Sequence, residues 1–429
     1  MANAPGVSKQ GLGVLLALLL LVAPAGAATI TVDLSERAPV RVRVGFLHNL
    51  TDVAPSDVFL RPLRPTAWRG SEASVSLKRV RSLGAKHTIV LSDLWSSAKW
   101  GWQPFYGDHH WGPPYIQLDH FGDWVRRIAQ RFKGRGLLYW DIWNEPDEPA
   151  FWDGSAEDYF ETFAVAERVL RDELGKNARV VGPSLAAWRP DWIRGLAEFC
   201  SRRGCRLDAV DWHDLRNDSR SLTALSERLG EARALVGHRR VEVHISEMMG
   251  PGIQYSPGAL VGYFSELEEG GADVAIKSCW DEGSGRSNCD GQTLNGLLDW
   301  TGRPRAIWHT WRAYAQGRST RVRAHSNDPR IAVVASKRSF LLGSLGNGPR
   351  EGSVRLCGLR AVSSAALRIK RHPNLGEPPV RPRPERRMLR VGLNGRCAAG
   401  RIPLPSEGEA LALYLNVRSS PFAVLAHHQ

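Results

Sequence analysis

The chain has 429 residues, 43% of them hydrophobic, enough for one barrel of roughly 250 residues plus a smaller domain. Its formal charge of +13 is mostly arginine and reads as a surplus dispersed along the chain, not a basic arm or helix. A genome-wide preference for arginine is the expected reading of such a surplus, affinity for an acidic polysaccharide is the alternative, and a nucleic-acid binder is least expected for want of any matching motif.

The apolar run Leu12 to Val22 is short for a bilayer span, and Ala25, Gly26 and Ala27 form a small-residue cleavage site. Residues 1–27 are therefore expected to be a signal peptide directing the chain to the periplasm or the medium. Only Lys9 supplies positive charge ahead of the run, so an uncleaved anchor is the alternative. No later segment is apolar enough to cross a membrane, and no stable membrane partner is expected. The six cysteines of an exported chain point to disulfides, and closeness in sequence pairs Cys200 with Cys205, Cys279 with Cys289 and Cys357 with Cys397.

From Val42 to Trp311 short β-branched or apolar runs alternate with helical spacing. The predicted strands are Val42 to Leu47, Val58 to Leu63, Thr88 to Leu91, Leu138 to Trp143, Arg179 to Val181, Ala209 to Trp212, Val241 to Ile245 and Val274 to Ser278. Phe121, Trp124, Val125, Ile128 and Phe132 mark one intervening helix, and Tyr159, Phe160, Phe163, Val169 and Leu170 another. Eight strands with helices between them predict a (β/α)8 barrel over 28–316. The second strand fits least well, because Pro62 and Pro65 remove donors from a position that should be central.

After Ala315 the texture changes to brief alternating runs, among them Ile331 to Ala335, Phe340 to Gly343 and Leu411 to Leu415, which predict an antiparallel β-sandwich over 317–429. Thr29 to Leu34 alternates like a strand but precedes the barrel, and is expected to cross over into that sandwich.

Two strands end in a glutamate, Glu145 after Trp140 to Asn144 and Glu247 after His244 to Ser246. They close the fourth and seventh strands, three βα units of about 34 residues apart, which sets them across the catalytic mouth of a barrel. A carboxylic acid beside the leaving oxygen and a carboxylate at the anomeric carbon is what glycosidic cleavage requires, and a close pair attacks directly with retention.

Trp140 to Pro146 resembles the acid/base signature of the clan of barrel glycosidases that includes glycoside hydrolase families 5, 10 and 39. Phe151, Trp152 and Tyr159, then Val181, Gly182 and Pro183, favour family 39, the group of β-xylosidases, α-L-iduronidases and bacterial exopolysaccharide hydrolases. The resemblance implies that Glu145 is the acid/base and Glu247 the nucleophile, that Asn144 meets the 2-hydroxyl of the sugar, and that one of Arg61, Arg64 and Arg69 steadies Glu247. It also implies a substrate or nucleophile contact for His213 and a sugar platform for Trp280. Leu215 stands where the family has a tyrosine, which leaves the sugar preference open. Asp141 shares strand parity with Glu145 and should pair with an inward arginine. Trp102 and Trp111, in an aromatic loop after the third strand, are expected to line further sugar subsites. His109 and His110 are adjacent and point apart, so no metal is expected, and no cofactor.

Overall fold

A computed structural model describes residues 28–419 apart from 39, 73, 93–113, 137, 238–240, 284, 360–361, 377, 379–383 and 393–395. Eight parallel strands close into a (β/α)8 barrel: Arg43–Leu47, Ala67–Gly70, Lys86–Leu91, Leu138–Ile142, Arg179–Leu185, Ala209–Asp214, Glu242–Met248 and Val274–Lys277. The last pairs with the first, Val274 opposite Arg43.

The second strand is not where Val58 to Leu63 was expected. That stretch forms a short helix, Asp57–Leu60, continued by a 3-10 turn Arg61–Leu63, and the strand is Ala67–Gly70. Pro62 sits in the first turn of the 3-10 segment, where a missing N–H costs nothing, and the strand begins only once both prolines are past. Arg69 thereby becomes an inward residue of a central strand.

The fourth strand and the helix after it are bound tightly together. Ala156–Leu174 starts at a capping box in which the Ser155 hydroxyl accepts from the Asp158 amide while the Asp158 carboxylate accepts from the Ser155 amide. One turn in, the Tyr159 hydroxyl donates to the carbonyl of Ile142 at 3.0 Å, and the Trp143 indole donates to that of Phe151 at 3.1 Å. Gly182 on the fifth strand makes room for this: a Cβ there would lie 2.8 Å from the Tyr159 hydroxyl and 3.0 Å from the Phe163 ring.

Beyond the barrel stands a C-terminal, mostly antiparallel β-sandwich. Its nine strands hydrogen-bond in an unbroken ring, with aliphatic side chains such as Val354, Leu356, Leu367 and Leu413 filling the inside. Ala28–Arg37 belongs to this ring, antiparallel to Arg321–Ser326 and parallel to Glu351–Cys357. Barrel helices Pro257–Glu269 and Ala306–Gly317 pack on the outer side of Ile331–Ser336, Ser339–Ser344 and Ala410–Ser419. Val334, Leu341, Ala410 and Ala412 accordingly join the apolar core of the barrel. Gly258 and Gly343 touch backbone to backbone at this seam, where the Gly258 amide donates to the Gly408 carbonyl at 2.8 Å.

The three disulfides link Cys200 with Cys205, Cys279 with Cys289 and Cys357 with Cys397. Among the described residues no helix is long and apolar enough to cross a membrane.

The charge is not dispersed as it first reads. Residues 317–429 hold 20 basic and 6 acidic side chains, a net +14, so residues 1–316 sum to −1. Arginines at outward strand positions are the reason, since alternation puts every second residue of the sandwich strands into solvent.

Gly182→Ala should lower stability by about 1–3 kcal/mol, because the new methyl must push Tyr159 off Ile142 or shift the strand. Urea unfolding of the variant beside the parent checks this.

Candidate active site

The guanidinium of Arg69, only 1% exposed, lies at the centre of the mouth. Its Nε donates to Asp141 Oδ2 at 2.8 Å and its Nη1 to Glu247 Oε1 at 2.8 Å. Its Nη2 donates to Asn144 Oδ1 at 2.8 Å and to Ser184 Oγ at 2.9 Å. One side chain therefore ties the ends of the fourth, fifth and seventh strands. Because arginine can only donate, the Asn144 oxygen must face it, which turns the amide N–H group away from Arg69 and leaves it for another acceptor.

Glu145 and Glu247 are brought together. The Nδ1 of His213 lies 2.7 Å from Glu145 Oε1, and the Nε2 of the same ring lies 3.9 Å from Glu247 Oε1. Burial pushes the His213 pKa down to about 4, with Arg69 adding to the effect, so the ring is neutral and carries one N–H. Its tautomer follows Glu145: a carboxylate accepts from Nδ1–H, whereas a carboxylic acid donates to bare Nδ1 and leaves the N–H on Nε2, facing Glu247.

Burial raises the pKa of both glutamates, Glu145 to about 7 against a partial counter-effect from Arg69. Glu247 meets the guanidinium directly, whereas Glu145 is held by a neutral ring, so the proton is better kept on Glu145. Behind them Asp211 is fully buried and raised to about 8, by burial first and by Asp141 second. It accepts from the Ser184 amide at 2.7 Å and the Ser246 hydroxyl at 2.7 Å, and so braces the residue just before Glu247.

The backbone presenting these groups is strained. Trp143 and Glu145 take φ of 69° and 52°, the left-handed region that non-glycine residues avoid. Two hydrogen bonds hold this turn, from the Trp143 amide to Leu91 O at 3.0 Å and from the Glu145 amide to Ser184 O at 2.8 Å.

Trp280 follows the last barrel strand, half-buried, with its indole donating to Met249 O at 2.9 Å and its amide to Asn288 Oδ1 at 2.7 Å. The ring is thus fixed beside the loop two residues past Glu247. Asp141 pairs with Arg69, as its strand parity implies. Trp102, Trp111, His109 and His110 lie outside the described residues.

Of the three candidate arginines, Arg69 alone meets Glu247; Arg61 pairs with Asp57 instead. His48 was missed. It follows the first strand at φ 55°, and burial with the nearby Arg69 pushes its pKa down to about 4. Asp211, Ser184 and Ser246 were missed as well, since nothing in their local sequence marks them apart from ordinary strand polar residues. With Leu215 in the tyrosine position, Glu247 takes its polar contacts from Arg69 and His213.

A barrel with paired glutamates ending its fourth and seventh strands is the class this fold and site define. Residues 112–250 match the model for Glycosyl hydrolases family 39. A β-xylosidase from Caldicellulosiruptor saccharolyticus is 28% identical over 116 residues, which are 26% of this chain and 23% of that protein. This match spans about a quarter of the relative's length. Among solved structures, a monomeric β-xylosidase from Caulobacter crescentus shares the fold at a TM-score of 0.63 with 13% identity, over 90% of this chain and 99% of that one. The GH39 enzyme from Xanthomonas axonopodis pv. citri does so at 0.62 with 14% identity, over 91% and 98%. Over residues 112–250 the chain is similar to glycoside hydrolase family 39.

Arg69→Met should cost about 3–5 kcal/mol, because it leaves Asp141 and Glu247 without their shared cation. Arg69→Lys should recover part of that loss but not all, since one ammonium cannot serve a fan of four acceptors. Denaturant titration orders the three proteins. Glu145 has a folded pKa above its unfolded value, so the folded state favours the protonated form and stability falls as pH rises through about 7. Glu145→Gln should therefore raise the melting temperature, and by more at about pH 8 than at about pH 5.

Proposed function

We propose that this protein is a retaining O-glycoside hydrolase acting on a poly- or oligosaccharide, with its catalytic machinery in the barrel. The observation that carries the reading is one neutral imidazole between two partly buried glutamates, only one of which touches a guanidinium. Environments that hold two carboxyl groups in different protonation states are what acid and nucleophile roles demand.

In this mechanism the Glu145 carboxylic acid donates its proton to the glycosidic oxygen while a Glu247 oxygen attacks the anomeric carbon, releasing the leaving group as an alcohol. The ester so formed is broken by water, whose proton passes to Glu145 as the Glu247 carboxylate is restored. Neutral His213 stays between the two glutamates and holds Glu145 in place. The free Asn144 amide N–H group binds the 2-hydroxyl of the sugar, and Trp280 offers its ring face to the pyranose.

Bacterial exopolysaccharide is the substrate class we favour. An exo-acting enzyme that removes xylose or a uronate from chain ends is the second reading, favoured by the likeness to a β-xylosidase. Export is supported by the three disulfides, which persist in oxidising compartments, and by the apolar leader read at Leu12 to Val22.

A 2-deoxy-2-fluoro glycosyl fluoride should label Glu247, found by mass mapping of the trapped peptide. Labelling elsewhere refutes the assignment, and a barrel that only binds carbohydrate would take no label. For an aryl glycoside with a poor leaving group, kcat/KM should fall as pH rises past about 7, where Glu145 loses its proton. In Glu145→Gln that alkaline limb should vanish, leaving a rate lower by about 100-fold or more.

A further inference from the structure

Five arginines of the net +14 module of residues 317–429 gather on one side of it. The barrel covers the ring of sandwich strands on the side of Ile331–Ser336, Ser339–Ser344 and Ala410–Ser419. On the far side the strands run in the order Glu385–Val391, Ala398–Pro403, Glu351–Cys357, Ala28–Arg37, with Val362–His372 at the border, where His372 meets Thr310 of the barrel helix Ala306–Gly317.

Register places the arginines there on one outward face. Arg390 is opposite Ala399, Ala399 opposite Arg355, and Arg355 opposite Thr31, a single row across four strands. Their chain neighbours Leu389, Ala398, Val354 and Leu356 are buried inside the ring, so the row itself faces out, and its arginines are exposed. Arg401 stands opposite Ser353 one pair along the same strands. Arg368 lies directly opposite Arg386, both exposed.

None of these five arginines meets a carboxylate within salt-bridge distance among the described residues. Like charges directly opposite across a strand pair destabilise a sheet, and while Arg368 rests over the Tyr414 ring at 4.8 Å, Arg355, Arg386, Arg390 and Arg401 have no such contact among the described residues. Ala399 between Arg390 and Arg355 leaves a flat gap, with the two side chains two strands apart, about 10 Å.

We propose that this face is a second, non-catalytic binding site for an anionic polysaccharide, a chain bearing uronate carboxylates. A row of guanidinium groups suits regularly spaced carboxylates, each of which arginine can grip through two N–H groups. The choice of polysaccharide over nucleic acid rests on the glycosidase reading of the barrel, and on the lack of a stacking platform. Among the described residues the strands of this face carry no tryptophan, tyrosine or phenylalanine. The site would hold the barrel near its polymer while leaving the barrel mouth to select the bond cut, and it gives the +14 module a task separate from catalysis.

The test uses the full chain and the variant Arg355→Glu, Arg390→Glu, Arg401→Glu, three exposed positions whose change leaves the apolar interior alone. Affinity electrophoresis is run with polygalacturonate, neutral xylan, duplex DNA and phosphatidylglycerol vesicles. The parent should be retarded by polygalacturonate in about 0.05 M salt and released by about 0.5 M, where exposed charges are screened. The triple variant should bind it about tenfold more weakly or worse. Both should hydrolyse a small aryl glycoside at equal rates, and a parent that binds polyuronate without turnover would sink the glycosidase reading and leave this one standing. Equal retardation of parent and variant overturns the proposal, as does tighter binding of the parent to DNA or vesicles than to polyuronate.

Discussion

Everything at the mouth of the barrel depends on Arg69. Its five N–H groups are shared among acceptors from three strands, and it is the cation held in common by Asp141, Glu247 and, at longer range, Asp211 and Glu145. Four carboxyl groups packed around one positive charge cannot all ionise near neutral pH. Those farthest from direct contact with the guanidinium keep their protons, and these are Glu145 and Asp211. A single buried ion thus separates the surroundings of these carboxyl groups, and orients the Asn144 amide by the same contact.

The barrel and the sandwich were legible because their periodicities differ so clearly. The fourth strand was plain from the run Trp140 to Glu145, a string of apolar and β-favouring residues that no helix pattern fits. The second strand was not, because Val58, Leu60 and Leu63 are apolar at a spacing that either element tolerates, and the prolines spoke only against the strand. Arg69 shared that fate. Which of three arginines reaches Glu247 is decided by where the strand starts, so an error in the strand hid the residue. The supporting layer of Asp211, Ser184 and Ser246 left no trace, since a polar residue at a strand position looks the same whether it braces a neighbouring carboxylate or faces water.

Charge was the most misleading quantity taken over the whole chain. Summed to +13 it suggested a uniform bias; divided at the change of texture after Ala315 it belongs to one module alone. Even then its meaning needed register, because only the pairing of strands shows that arginines far apart in sequence, such as Arg355 and Arg390, share a row.

The strand Ala28–Arg37 carries a consequence for how the chain acquires its shape. Its partners on both sides come from residues 321–326 and 351–357, so the ring cannot close until the whole barrel has been made. During synthesis this segment waits, with its alternating apolar face unpaired, while eight βα units assemble behind it. When the sandwich finally closes it clasps the two flanks of the barrel sequence together, and the barrel becomes an insertion held between the first and later strands of one sheet. Opening the barrel from either flank then requires parting that sheet, which makes the smaller module the lock on the larger one.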